Sequence, residues 1–341
     1  MFSSSRSLGP KASTGRLFLL VLLFFFTTTA FLLGAGTRTQ QSPQAEGPVH
    51  SSVDTGFPLE LQDDLGNTVR IETKPQTIMS LSLFSDEVLL EMVPTSRFAA
   101  VSSIAQSEIY SNVASIAQQI SPVVDFNVEQ IISLFPDLVI AANWSEADKV
   151  AQLRQAGITV FQIDTPFTLD GIRSAIRLLG RLVGEPERAE DLIRTMDQRQ
   201  QALEDRVRTI PAAQRVGAVD YNNWGTANGG DTTWNLVLTL AGIDNLVAHM
   251  TPGDFGQVPL SKELLIELDP EVLFLPGYIW GEEDGANQFF QQVINDPALR
   301  GLQALRNNRL YQFPERLKGT YSQFLIEAAE TAARFAYPDL F

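Results

Sequence analysis

Two glutamates, Glu129 and Glu263, occupy the same place in two copies of one pattern. The segment Asn127 to Ile140 (N-V-E-Q-I-I-S-L-F-P-D-L-V-I) recurs without a gap as Ser261 to Phe274 (S-K-E-L-L-I-E-L-D-P-E-V-L-F), and the offset is 134 at the Glu, Leu, Pro and acidic positions alike. Each copy reads as a capping Asn or Ser, an acid in the first helical turn, a short apolar-periodic helix, a Pro that ends it and a buried parallel strand. Attraction to the helix macrodipole would by itself account for either carboxylate. A matched pair on two similar α/β units points further, to a body that holds something between its lobes and docks symmetrically on a partner.

The other candidates for chemistry lie just after expected strands. In parallel α/β sheets, ligands sit beyond the carboxyl ends of strands, where loops and helix N-termini converge. There the chain places Leu83 and Phe84, Ala105 and Gln106, and Asn143 and Trp144, then Tyr221, Asn222, Asn223 and Trp224, Tyr278 and Trp280, and Arg316 and Lys318. Three of the four tryptophans fall in these loops. Trp can simply pack wherever it lands, but Trp144, Trp224 and Trp280 together with Tyr221, Tyr278 and Phe84 suit a cleft for a large, flat or partly aromatic ligand. Arg316 and Lys318 could pair with an anionic chelate, although isolated bases near a loop are commonly solvated. Trp234 opens a helix and is expected to anchor the core. The run Gly225-Thr226-Ala227-Asn228-Gly229-Gly230 lacks the Lys of a phosphate cradle and reads as a flexible wall of the cleft.

The elements that must position these residues alternate. Strands are expected at 78–82, 99–103, 138–142 and 159–163, with helices near 85–93, 128–135 and 146–156; strands near 215–219, 272–275 and 309–313 follow, with helices near 234–241, 261–268, 287–294 and 321–335. This is the signature of parallel sheets flanked by helices. Between the two sets the pattern is helical from 169 to 184 and from 186 to 210. In the second stretch Ala189, Ile193, Met196, Leu203, Val207 and Ile210 recur at helical spacing, and Pro186 suits a first turn. Such a helix spans roughly 37 Å, enough to run from one lobe to the other and to limit how far they close. The expected fold is α/β: two Rossmann-like lobes with parallel sheets, joined by a long backbone helix. The expected division is 57–168 for the first lobe, 169–210 for the linking helices and 211–341 for the second.

This arrangement resembles the periplasmic binding proteins of ABC importers for iron-siderophores, cobalamin and heme, the class whose lobes are joined by one long helix. The residues that carry the resemblance span 58 to about 340: Asp64-Leu65-Gly66-Asn67-Thr68-Val69 with Pro75-Gln76-Thr77-Ile78-Met79-Ser80-Leu81, the E-x-I-x-x-L-x-P-D-L-V run at 129–139, and Ala304-Leu305-Arg306-Asn307-Asn308-Arg309-Leu310-Tyr311. Their order and spacing are specific for the class and not for the ligand. The resemblance implies that Glu129 and Glu263 pair with arginines of an inner-membrane ABC permease, that the chain acts as a monomer, and that the ligand is a small-molecule metal chelate bound without covalent attachment. An iron(III)-siderophore is the first expectation, a corrinoid such as cobalamin the second and heme the third. Heme would call for a ligand from Tyr221, Tyr278 or His249. A membrane-anchored sensor or assembly module using the same cleft is the alternative of another class.

Composition excludes several readings. The 341 residues carry 40 acids against 25 bases, a formal charge of −15, which disfavours nucleic acid as a partner. The two histidines, His50 and His249, cannot assemble a His-rich metal site, which also argues against the zinc- and manganese-binding relatives, and no G-x-S-x-G, P-loop or H-E-x-x-H motif occurs, so no catalytic residues, no protein-held metal and no enzyme are expected. Zero cysteines removes disulfides, thiol nucleophiles and a lipid-anchor Cys. Arg6, Lys11 and Arg16, the apolar run Leu17 to Phe26 and the small residues Gly34-Ala35-Gly36 describe an export signal over 1–36 and a periplasmic destination. The apolar span is also long enough for an uncleaved anchor. Residues 37–56, rich in Ser, Thr, Gln, Pro and Gly, read as a disordered tether.

Overall fold

A computed structural model describes residues 56–341; the expected export signal, and the tether apart from Gly56, lie outside the described residues. The described chain opens in an antiparallel hairpin, β1 (Leu59–Gln62) and β2 (Thr68–Ile71). Asp63 holds its turn: the buried carboxylate accepts from the backbone N–H of Leu65 at 3.1 Å and of Asn67 at 2.8 Å, and pairs with Arg154 at 2.8 Å.

The first lobe follows as β3 (Ile78–Ser80), α1 (Leu83–Met92), β4 (Phe98–Ala100), α2 (Ala114–Ala117), α3 (Val128–Leu134), β5 (Leu138–Ala142), α4 (Ala147–Gln155) and β6 (Val160–Ile163). The sheet order is β4-β3-β5-β6 with every pair parallel. All residues of β5 and β6 are buried, as a sheet covered on both faces requires.

Two helices then leave the lobe, α5 (Leu169–Val183) and α6 (Pro186–Val207). Gly184 ends α5 in the left-handed region at φ 69°, and Gly180 lets the pair approach so closely that an added Cβ would lie 2.5 Å from the Ala189 Cβ. Over its 22 residues, roughly 33 Å, α6 packs on α5, on α1 of the first lobe and on two helices of the second. Its last turn ends at Val207, three residues short of the sequence expectation.

The second lobe comprises β7 (Gly217–Asp220), β8 (Thr226–Asn228), α7 (Thr233–Leu240), β9 (Asp244–Asn245), β10 (Gln257–Pro259), α8 (Lys262–Leu268), β11 (Val272–Pro276), α9 (Gly285–Asn295), α10 (Gln303–Arg306), β12 (Leu310–Phe313), α11 (Glu315–Lys318) and α12 (Leu325–Ala336). Its main sheet runs β12-β11-β7-β9, all parallel, and β8 pairs with β10 as a separate antiparallel ribbon. The helices of this lobe that meet α6 are α7 and α12. The α/β architecture with a parallel sheet in each lobe is therefore the one the sequence predicts. The β1–β2 hairpin and the β8–β10 ribbon are additions it does not predict.

The repeat is structural as well as sequential. Asn127 caps α3 by accepting from Gln130 N–H at 3.0 Å, and Ser261 caps α8 by accepting from Leu264 N–H at 3.1 Å. Both helices end in a left-handed residue, Phe135 at φ 45° and Asp269 at φ 40°, just before the Pro that blocks further turns, and β5 and β11 follow.

Candidate functional site

The carboxyl ends of the strands face a cleft between the lobes, divided into two adjoining cavities. One, of about 430 Å³, is walled by Asn222 to Trp224, Asn228, Asp231 to Trp234, Phe255, Gln257, Tyr278 to Trp280, Glu315 and Lys318 of the second lobe, with Tyr110 and Phe167 of the first. The other, of about 600 Å³, is walled by Ser82 to Phe84, Glu87, Asn143, Trp144, Asp164 and Thr165 of the first lobe, with Gly319 to Tyr321 of the second. Phe167 and Tyr321 belong to both walls and meet edge to face across the divide, their centroids 5.6 Å apart.

Three tryptophans face this space without cover: Trp144 is 73% exposed, Trp224 78% and Trp280 77%. Large aromatic side chains left this bare cost solubility and contribute nothing to the core, so their clustering on one cleft marks a surface that expects a partner. Their immediate surroundings differ. Trp144 follows β5, where Asn143 N–H donates to Ile163 O at 2.9 Å; Trp224 sits in a turn whose N–H donates to the Asn222 side chain at 3.0 Å; Trp280 lies against Tyr110, centroids 6.0 Å apart. Tyr278 also lines the cleft and meets Tyr110 edge-on at 5.7 Å, so aromatic contacts join the lobes at this end. Phe84 lines the larger cavity from the first turn of α1, 6% exposed.

Trp234 takes the core position expected of it. It is 2% exposed and packs edge-on against Phe274 at 5.3 Å and Phe313 at 4.8 Å.

Two candidates do not reach the cleft, and the expectation for them is corrected. Tyr221 continues the burial of β7: 8% exposed, it packs on Phe289 at 5.6 Å inside the second lobe, because a sheet covered on both faces leaves the residue next to its end no route to solvent. Arg316 turns instead to the joint between the lobes, where its guanidinium donates to Asn112 Oδ1 at 3.1 Å, its carbonyl accepts from Asn112 Nδ2 at 2.8 Å, and Glu327 lies 3.6 Å away. Lys318 does line the smaller cavity, but its ammonium is committed to the buried Asp220 at 2.9 Å and lies 5.5 Å from the centroid of the Trp234 ring. Of the three residues considered for heme ligation, Tyr278 alone lines the cleft.

Several lining residues escaped the sequence reading, Phe167, Tyr110, Tyr321, Phe255 and Glu87 among them. Phe167 follows β6 and was within reach of the same post-strand rule. Tyr110 lies in a connection with no regular element to signal it, and Tyr321 precedes α12, which begins at Leu325 rather than near 321 as expected. Phe255, 96% exposed, holds a left-handed φ of 55° inside the short Asp254–Gly256 turn, a conformation few non-glycine residues adopt without a reason. Glu87 lies inside an α1 pattern that reads as ordinary helix. Its carboxylate is buried and receives Asn112 N–H at 3.0 Å and Nδ2–H at 2.7 Å, and the hydroxyls of Thr320 at 2.9 Å and Ser322 at 2.5 Å. Burial pushes this carboxyl above its ordinary range while those four bonds oppose the shift.

Away from the cleft, Glu129 and Glu263 are both exposed at the N-termini of α3 and α8, and neither has an ion-pair partner among the described residues. The Glu263 carboxyl is held below its ordinary range by its own backbone N–H and by the Ser261 side chain. No helix among the described residues is long and apolar enough to cross a membrane.

The sequence profile of the family described as periplasmic binding protein matches residues 78–317. An uncharacterised ABC transporter substrate-binding lipoprotein of Bacillus subtilis is 25% identical over 293 residues, covering 84% of this chain and 87% of the relative. A cobalamin-binding protein of Halobacterium salinarum is 28% identical over 264 residues, covering 76% of this chain and 68% of the relative. Among solved structures, the molybdate periplasmic binding protein of a Haemophilus influenzae ABC transporter, bound to molybdate, superposes with a TM-score of 0.67 at 20% identity, covering 83% of this chain and 92% of that one. That last likeness speaks for the fold.

Proposed function

The chain belongs to the periplasmic binding protein family, and from that premise we propose that it captures a bulky metal chelate in the inter-lobe cleft and delivers it to an inner-membrane ABC permease. The observation that carries this reading is the set of bare tryptophans, Trp144, Trp224 and Trp280, around two adjoining cavities. Aromatic faces supply large contact area at low entropic cost, which suits a broad, rigid ligand more than a small ion.

A corrinoid is the first candidate. The width of the aromatic surface, spread over both lobes, supports it, and so does the similarity to a cobalamin-binding relative. An iron(III)-siderophore would use the same surface. The export signal expected over 1–36 would place the protein in the periplasm, and the stiff α6 connection would keep closure small. Glu129 and Glu263 would meet arginines of the permease, one from each lobe. No catalytic role is assigned to any residue of the cleft.

The test is titration of the exported protein with cyanocobalamin and with a ferric tris-hydroxamate, followed by tryptophan emission. Saturable quenching by either supports chelate capture, and quenching by the corrinoid alone supports the first candidate. No saturable response to either would overturn the reading.

A further inference from the structure

We infer that the cleft selects by charge, accepting uncharged or cationic chelates and rejecting anionic chelates and oxyanions. This rests on the cleft being the ligand site.

Lys318 is the sole cation among the described residues that line the two cavities, and it is not free. Its side chain is 10% exposed, and its ammonium pairs with Asp220, which is fully buried and already accepts from Asn228 N–H at 2.8 Å and Nδ2–H at 2.6 Å. Turning Lys318 toward an anionic ligand would strand the Asp220 charge in the interior, a penalty that a new ion pair at the cleft surface would not offset. Arg316, the other base near the cleft, is tied to Asn112 at the joint.

Four carboxyls line the same space. Asp164 and Asp231 are exposed on opposite lobes, with no ion-pair partner among the described residues. Glu87 is buried and its donors are all neutral, so it offers an anionic ligand no cation and no free hydrogen-bond donor. Glu315 has a buried Oε2 without a hydrogen-bond partner. The N-terminus of α7, which opens on the smaller cavity and would otherwise attract an anion, is capped by Thr232, and Asp231, the residue before the cap, lines the same cavity. An anion entering this cleft would meet the unpaired carboxylates of Asp164 and Asp231 and no free cation, a repulsion that grows as ionic strength falls. A cation would be drawn in, and an uncharged chelate would bind by aromatic contact alone.

The test compares charge within two ligand classes, at constant scaffold in the first. One series is cyanocobalamin, aquocobalamin and a corrinoid whose peripheral amides have been hydrolysed to carboxylates. The other is a ferric tris-hydroxamate without net charge and a ferric tris-catecholate trianion, and molybdate serves as a simple oxyanion. In whichever scaffold binds, the anionic member should bind at least about tenfold more weakly than the uncharged one, and molybdate should not bind. The Asp164→Asn, Asp231→Asn double variant should narrow that gap by strengthening binding of the anionic member. Equal affinity for anionic and uncharged members, or a gap untouched by the double variant, would overturn charge selection and leave chelate capture standing. Failure of both scaffolds would remove chelate capture and charge selection together.

Discussion

Glu87 of the first lobe and Thr320 of the second share a buried hydrogen bond of 2.9 Å, at the base of the cleft where α1 meets the segment between α11 and α12. Ser322 adds a second bond from the same segment, and Gln323 Nε2 donates to the Glu87 carbonyl at 2.9 Å. One side chain thus ties both lobes at a point that also lines the larger cavity. Glu87→Ala would strand several buried donors at once and should lower the free energy of unfolding by about 3 kcal/mol in urea titration, with Glu87→Gln intermediate. A loss as small as that of an exposed-site substitution would show that the joint is held elsewhere.

Asp86, next to it, gives a pH signature. It is wholly buried with one oxygen unpartnered, and burial pushes its carboxyl up from 3.8 to about 8. An acid with a raised folded value keeps a proton that the unfolded chain releases, so stability falls as pH rises from about 4 to about 8. Asp86→Asn should flatten that slope, leaving the urea midpoint near pH 4 little changed and raising it near pH 8. A wild-type midpoint independent of pH across the window would contradict the assignment.

The four tryptophans should separate by role. Trp144→Ala, Trp224→Ala and Trp280→Ala should each weaken ligand binding by about 1–3 kcal/mol and leave thermal unfolding nearly unchanged, since each side chain is already bare. Trp234→Ala removes a ring packed between Phe274 and Phe313 and should cost about 3–5 kcal/mol of stability. Calorimetry of binding and of unfolding on the four variants reads both.

What was legible in the sequence follows from what is local. Caps, helix-ending prolines and apolar strands declare themselves over a few residues, so α3, β5, α8 and β11 fall within a residue or two of expectation. The post-strand rule located the three bare tryptophans for the same reason. It could not tell Tyr221 from Trp224, because which of two neighbours turns inward depends on the packing of α9 beyond it. The fates of Arg316 and Lys318 rest on Asn112 and Asp220, partners 204 residues and 98 residues away in the chain, and no local pattern announces such pairs. Short ribbons such as β8–β10, built on Thr-Ala-Asn and Gln-Val-Pro, carry too few β-branched or alternating residues to signal a strand.

The repeated glutamates allow docking to be separated from helix stabilisation. Each helix N-terminus already has a cap that accepts one N–H, Asn127 from Gln130 and Ser261 from Leu264, so neither glutamate is the sole support of its helix. Reversal to Lys at both positions would set like charges against the arginines expected on a permease, and uptake in cells should collapse while ligand affinity of the isolated protein is unchanged. Each single variant should give a comparable partial loss, because α3 and α8 stand at equivalent places in the two lobes. If Glu129 and Glu263 served only the macrodipole, the double variant would be slightly less stable and would transport at the wild-type rate. Measuring uptake alongside the exported amount of each variant distinguishes the two outcomes, and normal uptake by a folded, exported double variant would remove the docking role.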